Sequence, residues 1–370
     1  MVIESKGLNE SNIRANSTEK RSVAIVVPGK ATGGVKQVTV KLIKGLKLEG
    51  FHVKTIVLRG NTLPLIISDL KNVKTLREYD AVIYIGSIPW PSHALIHNYT
   101  KTILFVHGFV KYEQLNTIKR EKLRAKVGAV LQLGLWDFFR GTNKIDLYIC
   151  HSLTSCEANK IHRNFILLPQ FVFPEDVKFY SRYRREVLRL DNDKVKVVTY
   201  TSFAISPRLL TQHDVIRLMR RVSRRARNKD IELVLIDPKN EKNITKRWDN
   251  LVVRFTGFMP RNNFLRLLAE ADLYLEICID EELGLASIDS ALVGTPIAKL
   301  THSKFVERQD YEDEIIWSSS PTRLINILVD YVNNKDYWRS YYAKRLHEFL
   351  IKRRNWNYIK VPLISFIRSS

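Results

Sequence analysis

The sequence predicts an α/β protein with two Rossmann-like domains, each a mostly parallel sheet covered by helices. Short apolar runs alternate with segments of helical periodicity along the chain, which is the pattern of parallel strands joined by helices. The chain has 370 residues, enough for two cores of ordinary size. A hydrophobic fraction of 45% with 26% charged residues is typical of globular proteins.

The first predicted domain covers residues 21–175 and follows a polar lead-in at 1–20 that we expect to be disordered. Its strands are predicted from apolar runs of the length found in buried parallel strands. The runs are S-V-A-I-V-V at 22–27, F-H-V-K-T-I-V-L at 51–58, D-A-V-I-Y-I-G at 80–86, T-I-L-F-V-H-G-F at 102–109 and I-D-L-Y-I-C-H-S at 145–152. Because segments of helical spacing lie between some of them, the sheet is expected to be parallel.

Two features of this half point to ligand binding. Gly33 and Gly34 lie in the loop after the first strand, before a helix predicted from the spacing of Val35, Val38 and Leu42. A strand, a glycine-bearing loop and a helix together suit the approach of a phosphate, although a plain tight turn explains the same residues. His107 ends the fourth run, and α/β sheets bind ligands beyond the carboxyl ends of their strands.

The segment 111–140 is basic and amphipathic. Its lysines and arginines cluster just before a run rich in Val, Leu, Trp and Phe, which fits a helix lying on an anionic membrane surface. A solvated basic face with its apolar side in the core is the equal alternative. Three cysteines, Cys150, Cys156 and Cys278, match neither a disulfide framework nor a zinc site.

The second predicted domain, 194–345, follows a linker at 176–193 and precedes a terminal helical segment at 346–370. Its strands are predicted at V-K-V-V-T-Y-T-S (195–202), at I-E-L-V-L-I-D (231–237) and before Gly257. The linker and the run 217–227 are rich in arginine, and the linker adds Tyr180 and Tyr183. Such residues bind phosphates and stack bases. Because no nucleic-acid recognition module accompanies them, we interpret them as solvated surface and expect nucleic acid not to be a partner.

The central motif is E-I-C-I-D-E-E-L-G-L-A-S-I-D-S-A-L-V-G-T-P-I-A-K-L at 276–300. It predicts a strand, an acidic loop containing Glu281, and a helix that starts near Gly284 and Leu285 and carries Asp289. The amides and dipole of a helix N-terminus favour an anion such as a phosphate. Carboxylates accept hydrogen bonds from sugar hydroxyls. A ligand with both groups is a nucleotide sugar.

This motif resembles that of the retaining glycosyltransferases of family four, which have the GT-B fold and the signature E-G-F-G-L-P-x-x-E-A-x-x-x-G-T-P. The matching stretch here is E-E-L-G-L-A-S-I-D-S-A-L-V-G-T-P. In the family the first Glu contacts the donor sugar and the second contacts the ribose, which implies these roles for Glu281 and Asp289. Asp289 departs from the family by shortening the side chain by one methylene.

The resemblance implies two domains facing each other across a cleft, with the terminal segment crossing back onto the first domain. It also implies that the Gly33–Gly34 loop lies against the donor diphosphate, that His107 lies near the donor sugar, and that Gly257 approaches the base. The family Arg that binds the diphosphate is absent, since Ser202 stands near its position. Arg208 is the best match to the family Lys that follows.

The resulting hypothesis is a metal-independent glycosyltransferase that uses a UDP- or GDP-linked donor and retains the anomeric configuration. Another GT-B reaction, such as nucleotide-sugar epimerisation, and a non-catalytic binder of nucleic acid or another anionic polymer are the alternatives. The acceptor, whether lipid-linked sugar, glycan or protein, is not indicated. A net charge of +22 implies an anionic partner. Without an apolar leader, we expect a cytoplasmic protein, peripheral on the inner membrane face if 111–140 binds lipid.

Overall fold

The computed structural model describes residues 21–28, 33–58, 75–86, 96–106, 144–187, 194–200, 212–226, 229–237, 243–276, 283–301 and 311–369, with a few isolated positions between 118 and 138. These residues form two sheets with helices packed on them, and each sheet has its own buried core. Within these ranges no helix combines the length and the apolar character that crossing a bilayer requires.

The first sheet is parallel and has the strand order β2-β1-β3-β4-β5-β6. Helix α1 (Gly33–Leu48) follows β1, and α2 (Leu153–Ala158) follows β5. Helices on both faces explain why every residue of β3 is buried. The strands are β1 Ser22–Pro28, β2 His52–Leu58, β3 Ala81–Ile85, β4 Lys101–Val106, β5 Leu147–Cys150 and β6 Phe165–Leu167.

A helix carries the chain from the first sheet to the second. This helix, α3 (Pro174–Val187), begins inside the predicted first domain and occupies much of the predicted linker. Its first turn carries two acids, which complement the helix dipole. One of them, Glu175, lies 2.9 Å from Lys44 Nζ of α1, so the crossover is tied to the first domain at its start. Further along, Tyr180 is buried in the core of the second sheet.

The second sheet has the order β13-β12-β11-β7-β8-β10-β9, parallel except for the edge strand β9. Its helices are α4 Gln212–Arg225, α5 Arg261–Glu270, α6 Leu285–Val293 and α7 Pro321–Asn333. Its strands are β7 Val195–Tyr200, β8 Ile231–Ile236, β9 Ile244–Trp248, β10 Leu251–Thr256, β11 Leu273–Glu276, β12 Ile297–Leu300 and β13 Ile316–Ser318.

The terminal segment returns to the first domain, as the resemblance implied. Helix α8 (Lys335–Arg353) still packs on the second sheet through Leu346, Phe349 and Leu350. The chain then crosses where Val172 N donates to Arg354 O at 2.9 Å and Trp356 N donates to Val172 O at 3.0 Å. Two short helices, α9 (Trp356–Ile359) and α10 (Val361–Arg368), complete the first core.

The structure corrects the expectation for two of the cysteines, because Cys150 and Cys156 form a disulfide. Cys150 ends β5, and α2 is capped by Ser152, whose side chain accepts from Ser155 N. This tight strand-to-helix turn brings the two Cα atoms to 5.6 Å, a separation that suits a disulfide. The cysteine spacings used to recognise the disulfide frameworks of small secreted domains do not detect an isolated pair like this one. Cys278 lies outside the described residues.

The closing contact depends on the absence of a side chain at Gly45. Trp356 is 1% exposed and lies against Gly45 of α1 and the rings of Phe171 and Phe173. A Cβ built at Gly45 would lie 2.5 Å from Trp356 Cζ2, so alanine cannot enter without displacing the indole.

We therefore expect Gly45→Ala to lower the free energy of unfolding by about 1–3 kcal/mol, the usual cost of overpacking a core. Elsewhere in a helix the same change stabilises by up to about 1 kcal/mol. Gly134→Ala is the matched control, because Gly134 is helical and a Cβ there meets nothing within 4 Å. Urea unfolding measures both variants. A Gly45→Ala protein as stable as Gly134→Ala would contradict this packing.

Candidate functional site

Each sheet has one point where the winding direction reverses, and open α/β sheets bind ligands there, beyond the carboxyl ends of the strands. In the first sheet this point lies between β1 and β3, and α1 begins beside it with Gly33 and Gly34. In the second sheet it lies between β7 and β11. The central motif begins at the last residue of β11, so the start of α6 lies at the second reversal point.

Among the described residues, the N-terminus of α6 has no side-chain cap. Its N-cap is Gly284, which has no side chain to cap the helix. Among the described residues, the amides of Leu285, Ala286 and Ser287 donate no hydrogen bond, and the first amide that does is Ile288 N, to Gly284 O at 3.0 Å. Unused amides at the positive end of a helix dipole attract an anion.

A buried carboxylate fixes the strand before this loop to the helix after it. Glu276 is the last residue of β11 and is buried. Its Oε2 accepts a hydrogen bond of 2.5 Å from Ser287 Oγ in the first turn of α6. This bond joins the end of β11 directly to the first turn of α6.

Helix α6 is buried on nearly all sides, and not only along the apolar face formed by Leu285, Ile288, Ala291 and Leu292. Every residue from Ser287 to Val293 is buried. The reason is that α3, α5 and α8 pack around the helix, so its polar positions are enclosed as well. A polar residue in this helix must therefore find a partner inside the protein.

Asp289 is the main such residue, at 4% exposed. Its Oδ1 accepts a hydrogen bond of 2.6 Å from the hydroxyl of Tyr180 in α3 and one of 2.8 Å from Nη2 of Arg261, the first residue of α5. Nη2 of Arg261 also donates to the Tyr180 hydroxyl at 2.5 Å. The three groups form a closed triangle, and within the described residues Asp289 Oδ2 accepts no hydrogen bond.

Burial dominates the electrostatics of this triangle. It raises the pKa of Asp289 above the usual aspartate value, and Arg261, Tyr180 and Lys41 offset part of that shift. Burial likewise raises the pKa of Tyr180, so its hydroxyl keeps the proton that it donates. Arg261 is less enclosed, with 44% of its side chain exposed. Its other guanidinium nitrogens therefore have access to a ligand.

A lysine of the first domain takes part in the same charge cluster. Lys41 of α1 donates from Nζ to the carbonyl of Phe171 at 2.7 Å, just before the crossover. Burial lowers the pKa of Lys41, while Asp176 and Asp289 act to raise it. Helix α1, the crossover helix and α6 thus share one electrostatic environment across the two domains.

Aromatic side chains lie at the carboxyl edge of the second sheet, near the start of α5. Gly257 directly follows β10, and the neighbouring Phe258 is 77% exposed. Tyr200, the last residue of β7, packs against Phe264 with ring centroids 6.2 Å apart. Exposed aromatic rings beside a polar cluster suit the flat face of a nucleotide base.

The structure brings together four of the predicted site residues. Gly257 lies in the loop that leads to Arg261, and Gly284, Leu285 and Asp289 lie at or near the start of α6. Gly33 and Gly34 were predicted in a loop before a helix, but they are the first two residues of α1, the helix that carries Lys41. His107, Arg208 and Glu281, together with Thr201 and Ser202 and most of 111–140, lie outside the described residues, so their roles remain predictions.

Sequence reasoning did not identify Tyr180, Arg261, Lys41, Glu276 or Ser287 as part of the site. Tyr180 was placed on a basic, aromatic surface because it stands in an arginine-rich run, and the structure shows that it is buried. A signal was available, because an acid in a fully buried helix requires partners from elsewhere in the chain. Their identity depends on how α3 and α5 pack, which no local pattern encodes.

A groove of about 520 Å³ opens at the opposite edge of the first sheet, at the amino ends of β3, β4 and β5. Two of its three acids already serve the fold, since Asp80 accepts from Ser22 N at 2.6 Å and Asp146 accepts from Thr102 N at 2.7 Å. The groove lies away from both reversal points, so its position does not favour it as the functional site.

Within the described ranges, no group of three or more metal-ligating side chains is assembled.

No protein-family model matches the sequence, and no curated protein matches it either. Solved structures do match over nearly the whole chain. A glycosyltransferase from Rickettsia africae is 12% identical over 95% of this chain and 99% of its own, with a TM-score of 0.65. HepE from Anabaena, solved with UDP and glucose, is 14% identical over 95% of this chain and 100% of its own, with a TM-score of 0.60. OtsA, solved without ligand, is 9% identical over 94% and 99%, with a TM-score of 0.61. The chain therefore has the GT-B fold.

The triangle predicts a specific dependence on one tyrosine hydroxyl. Tyr180→Phe removes the donor to Asp289 and leaves a buried carboxylate oxygen with one partner, so we expect a loss of about 1–3 kcal/mol in unfolding free energy. Tyr183→Phe is the matched control. Tyr183 lies one turn later on α3, is partly buried, and its hydroxyl bonds to no described residue. Chemical unfolding measures the unfolding free energy of both variants. Equal values would contradict the hydrogen bonds of the triangle.

The raised pKa of Asp289 gives a pH dependence of known sign. The folded state binds this proton more tightly than the unfolded chain, so the contribution is fully present below about pH 3.9 and is lost as pH rises through the folded pKa. Wild type should therefore gain stability relative to Asp289→Asn as pH falls from about 7 to about 4. Unfolding curves across that range test this. A relative loss for wild type would show that Arg261 outweighs burial.

Proposed function

We propose that this protein transfers a sugar from a nucleotide-sugar donor to an acceptor, and that the second domain holds the nucleotide. One observation carries the proposal: an uncapped helix N-terminus and a buried, pre-oriented carboxylate lie on the same helix at a sheet reversal point. The free amides of α6 suit a diphosphate. Asp289 Oδ2 suits a ribose hydroxyl, because its Oδ1 is already occupied. Solved structures with the same fold that contain UDP support this assignment.

The shortened acid at position 289 fits this role. Tyr180 and Arg261 fix the carboxylate, so an incoming ribose meets an acceptor that does not need to be ordered on binding. The exposed part of Arg261 adds positive charge on the nucleotide side. Phe258 and Tyr200 provide aromatic surface for the base.

In the proposed reaction the bond between the sugar and the diphosphate breaks as a bond to the acceptor oxygen forms. The proton of the acceptor hydroxyl passes to the leaving diphosphate, and the anomeric configuration is retained. Negative charge develops on the leaving diphosphate, and the α6 amides and dipole stabilise it. We propose that no metal ion is needed for this step. Glu281 would orient the sugar, His107 with Gly33 and Gly34 at the start of α1 would line the transfer site, and Arg208 would contact the diphosphate. Closure of the domains would exclude water.

We further propose a UDP- or GDP-linked donor and an acceptor that is a lipid-linked sugar, a glycan or a protein. The basic segment 111–140 would hold the enzyme on an anionic membrane surface at the inner face of the membrane. These assignments rest on the sequence, since the residues concerned lie mostly outside the described ranges.

Donor binding is tested by thermal stability in the presence of UDP, GDP and their sugar conjugates. A ligand at about 100 times its dissociation constant adds about 2.7 kcal/mol of stability. We expect one nucleotide series to stabilise the protein. Asp289→Asn should weaken that binding by about 10- to 100-fold, the effect of losing a hydrogen bond to a charged group.

Asp80→Asn is the matched control, because it makes the same change in the groove at the opposite edge of the first sheet. It should leave nucleotide affinity unchanged. Loss of binding in Asp80→Asn but not in Asp289→Asn would place the nucleotide in that groove and reject the proposed site.

Once a stabilising donor is known, release of nucleoside diphosphate in the presence of EDTA tests whether the reaction is independent of metal ions. Release without any acceptor would favour hydrolysis over transfer, and acceptor-free conversion of the donor to an isomeric nucleotide sugar would favour epimerisation.

A further inference from the structure

A row of cations lies on the outer side of the second domain. Arg217, Arg221 and Arg224 are exposed on α4, half-buried Arg220 lies beside them, and Lys246 is exposed on the neighbouring strand β9. We call these five residues the arginine face. Arg220 joins the two elements, because its guanidinium lies 5.7 Å from the ring centroid of Trp248 at the end of β9.

The arginine face is not neutralised by the protein. Among the described residues, none of its five cations lies within ion-pair distance of a carboxylate. Arg217 contacts the ring nitrogen of His213 at 3.3 Å, and Lys246 lies over the ring of Phe255. The four arginines also stand three and four positions apart on one helix, where like charges repel by a few tenths of a kcal/mol per pair. The arginines of α4 therefore repel one another in the free protein, and a bound polyanion would relieve that repulsion.

The inner side of α4 excludes insertion into a lipid bilayer. Val215, Leu218, Met219 and Val222 are buried in the core of the second sheet. A helix that lies in a membrane interface must present an apolar face to the lipid. The outward side of α4 offers only polar and charged groups, so its partner must be recognised by charge and hydrogen bonding.

The chemistry of the arginine face fits a phosphodiester chain. Guanidinium groups bind phosphate oxygens through two parallel hydrogen bonds, which the lysine-rich surfaces of many basic proteins do not provide. Arg217 and Arg221 rise about 6 Å along the helix axis and Arg224 about 4.5 Å further, so they form a line rather than a point. The partly buried ring of Trp248 beside that line offers a surface on which a base can stack.

We propose that the arginine face binds single-stranded nucleic acid through its phosphates, without sequence preference. This site is separate from the nucleotide site. It revises the expectation that nucleic acid is not a partner, because that expectation rested on the lack of a recognition module, and phosphate binding needs none. The start of α4 lies at the carboxyl edge of the second sheet, where Gln212 Nε2 donates to Asp237 Oδ2 at 3.4 Å. A nucleic-acid strand bound along α4 would therefore run away from the carboxyl edge of the second sheet.

The test is fluorescence anisotropy with a labelled oligothymidylate of about 20 nucleotides, using the full chain. Four arginine–phosphate contacts predict that log K falls with log salt with a slope of about −2.8, which is about a 50-fold loss between 50 and 200 mM salt. The triple variant Arg217→Glu, Arg221→Glu, Arg224→Glu should bind more than about 100-fold more weakly at 50 mM salt, with a correspondingly shallower slope.

The matched control is Lys47→Glu, Lys54→Glu, Arg353→Glu, which makes the same change in net charge at exposed cations elsewhere. This control variant should bind the oligonucleotide with an affinity within about threefold of that of the wild type. Equal weakening in both triples would show that total charge alone binds the oligonucleotide, and this would overturn the proposal. So would tighter binding to phosphatidylglycerol vesicles that the arginine triple abolishes, or no oligonucleotide binding by wild type at 50 mM salt. Unchanged circular dichroism and nucleotide-induced stabilisation would confirm that the variants are folded.

Discussion

The interaction on which this structure depends most is the triangle of Asp289, Tyr180 and Arg261. An isolated carboxylate inside a protein costs several kcal/mol, so Asp289 is tolerable only while both partners hold it. Each partner comes from a different helix, Tyr180 from the crossover helix α3 and Arg261 from the start of α5. Satisfying one buried acid therefore fixes how three helices pack at the carboxyl edge of the second sheet.

The same arrangement connects the candidate site to the junction of the two domains. Tyr180 stands on the helix that leads from one sheet to the other, and Lys41 of the first domain shares the charge cluster. The return crossing at Arg354–Trp356 lies beside the outgoing one, joined by the hydrogen bonds of Val172. A ligand that engages Asp289 thus acts on a residue that is linked to both crossings, which is the geometry expected if nucleotide binding and domain closure are coupled.

The return of the terminal segment was implied by the family resemblance alone, whereas periodicity and the central motif were sufficient to predict the two sheets and the start of α6, because these follow from local sequence patterns. They were not sufficient to predict the disulfide of Cys150 and Cys156 or the partners of Asp289. Those depend on a tight turn and on how helices distant in sequence pack. The arginine run 217–227 was readable from the sequence, but whether acids neutralise it was not, since ion pairs form between elements.

Hydrogen exchange of the full chain, with and without saturating UDP or GDP, tests the central claim most directly. If α6 receives the diphosphate and Asp289 the ribose, amides at 284–289 will become protected on binding, and so will α3 around Tyr180. The amino-edge groove at 77–80 and 97–101 will be unchanged. Protection of that groove with no change in α6 would contradict the account.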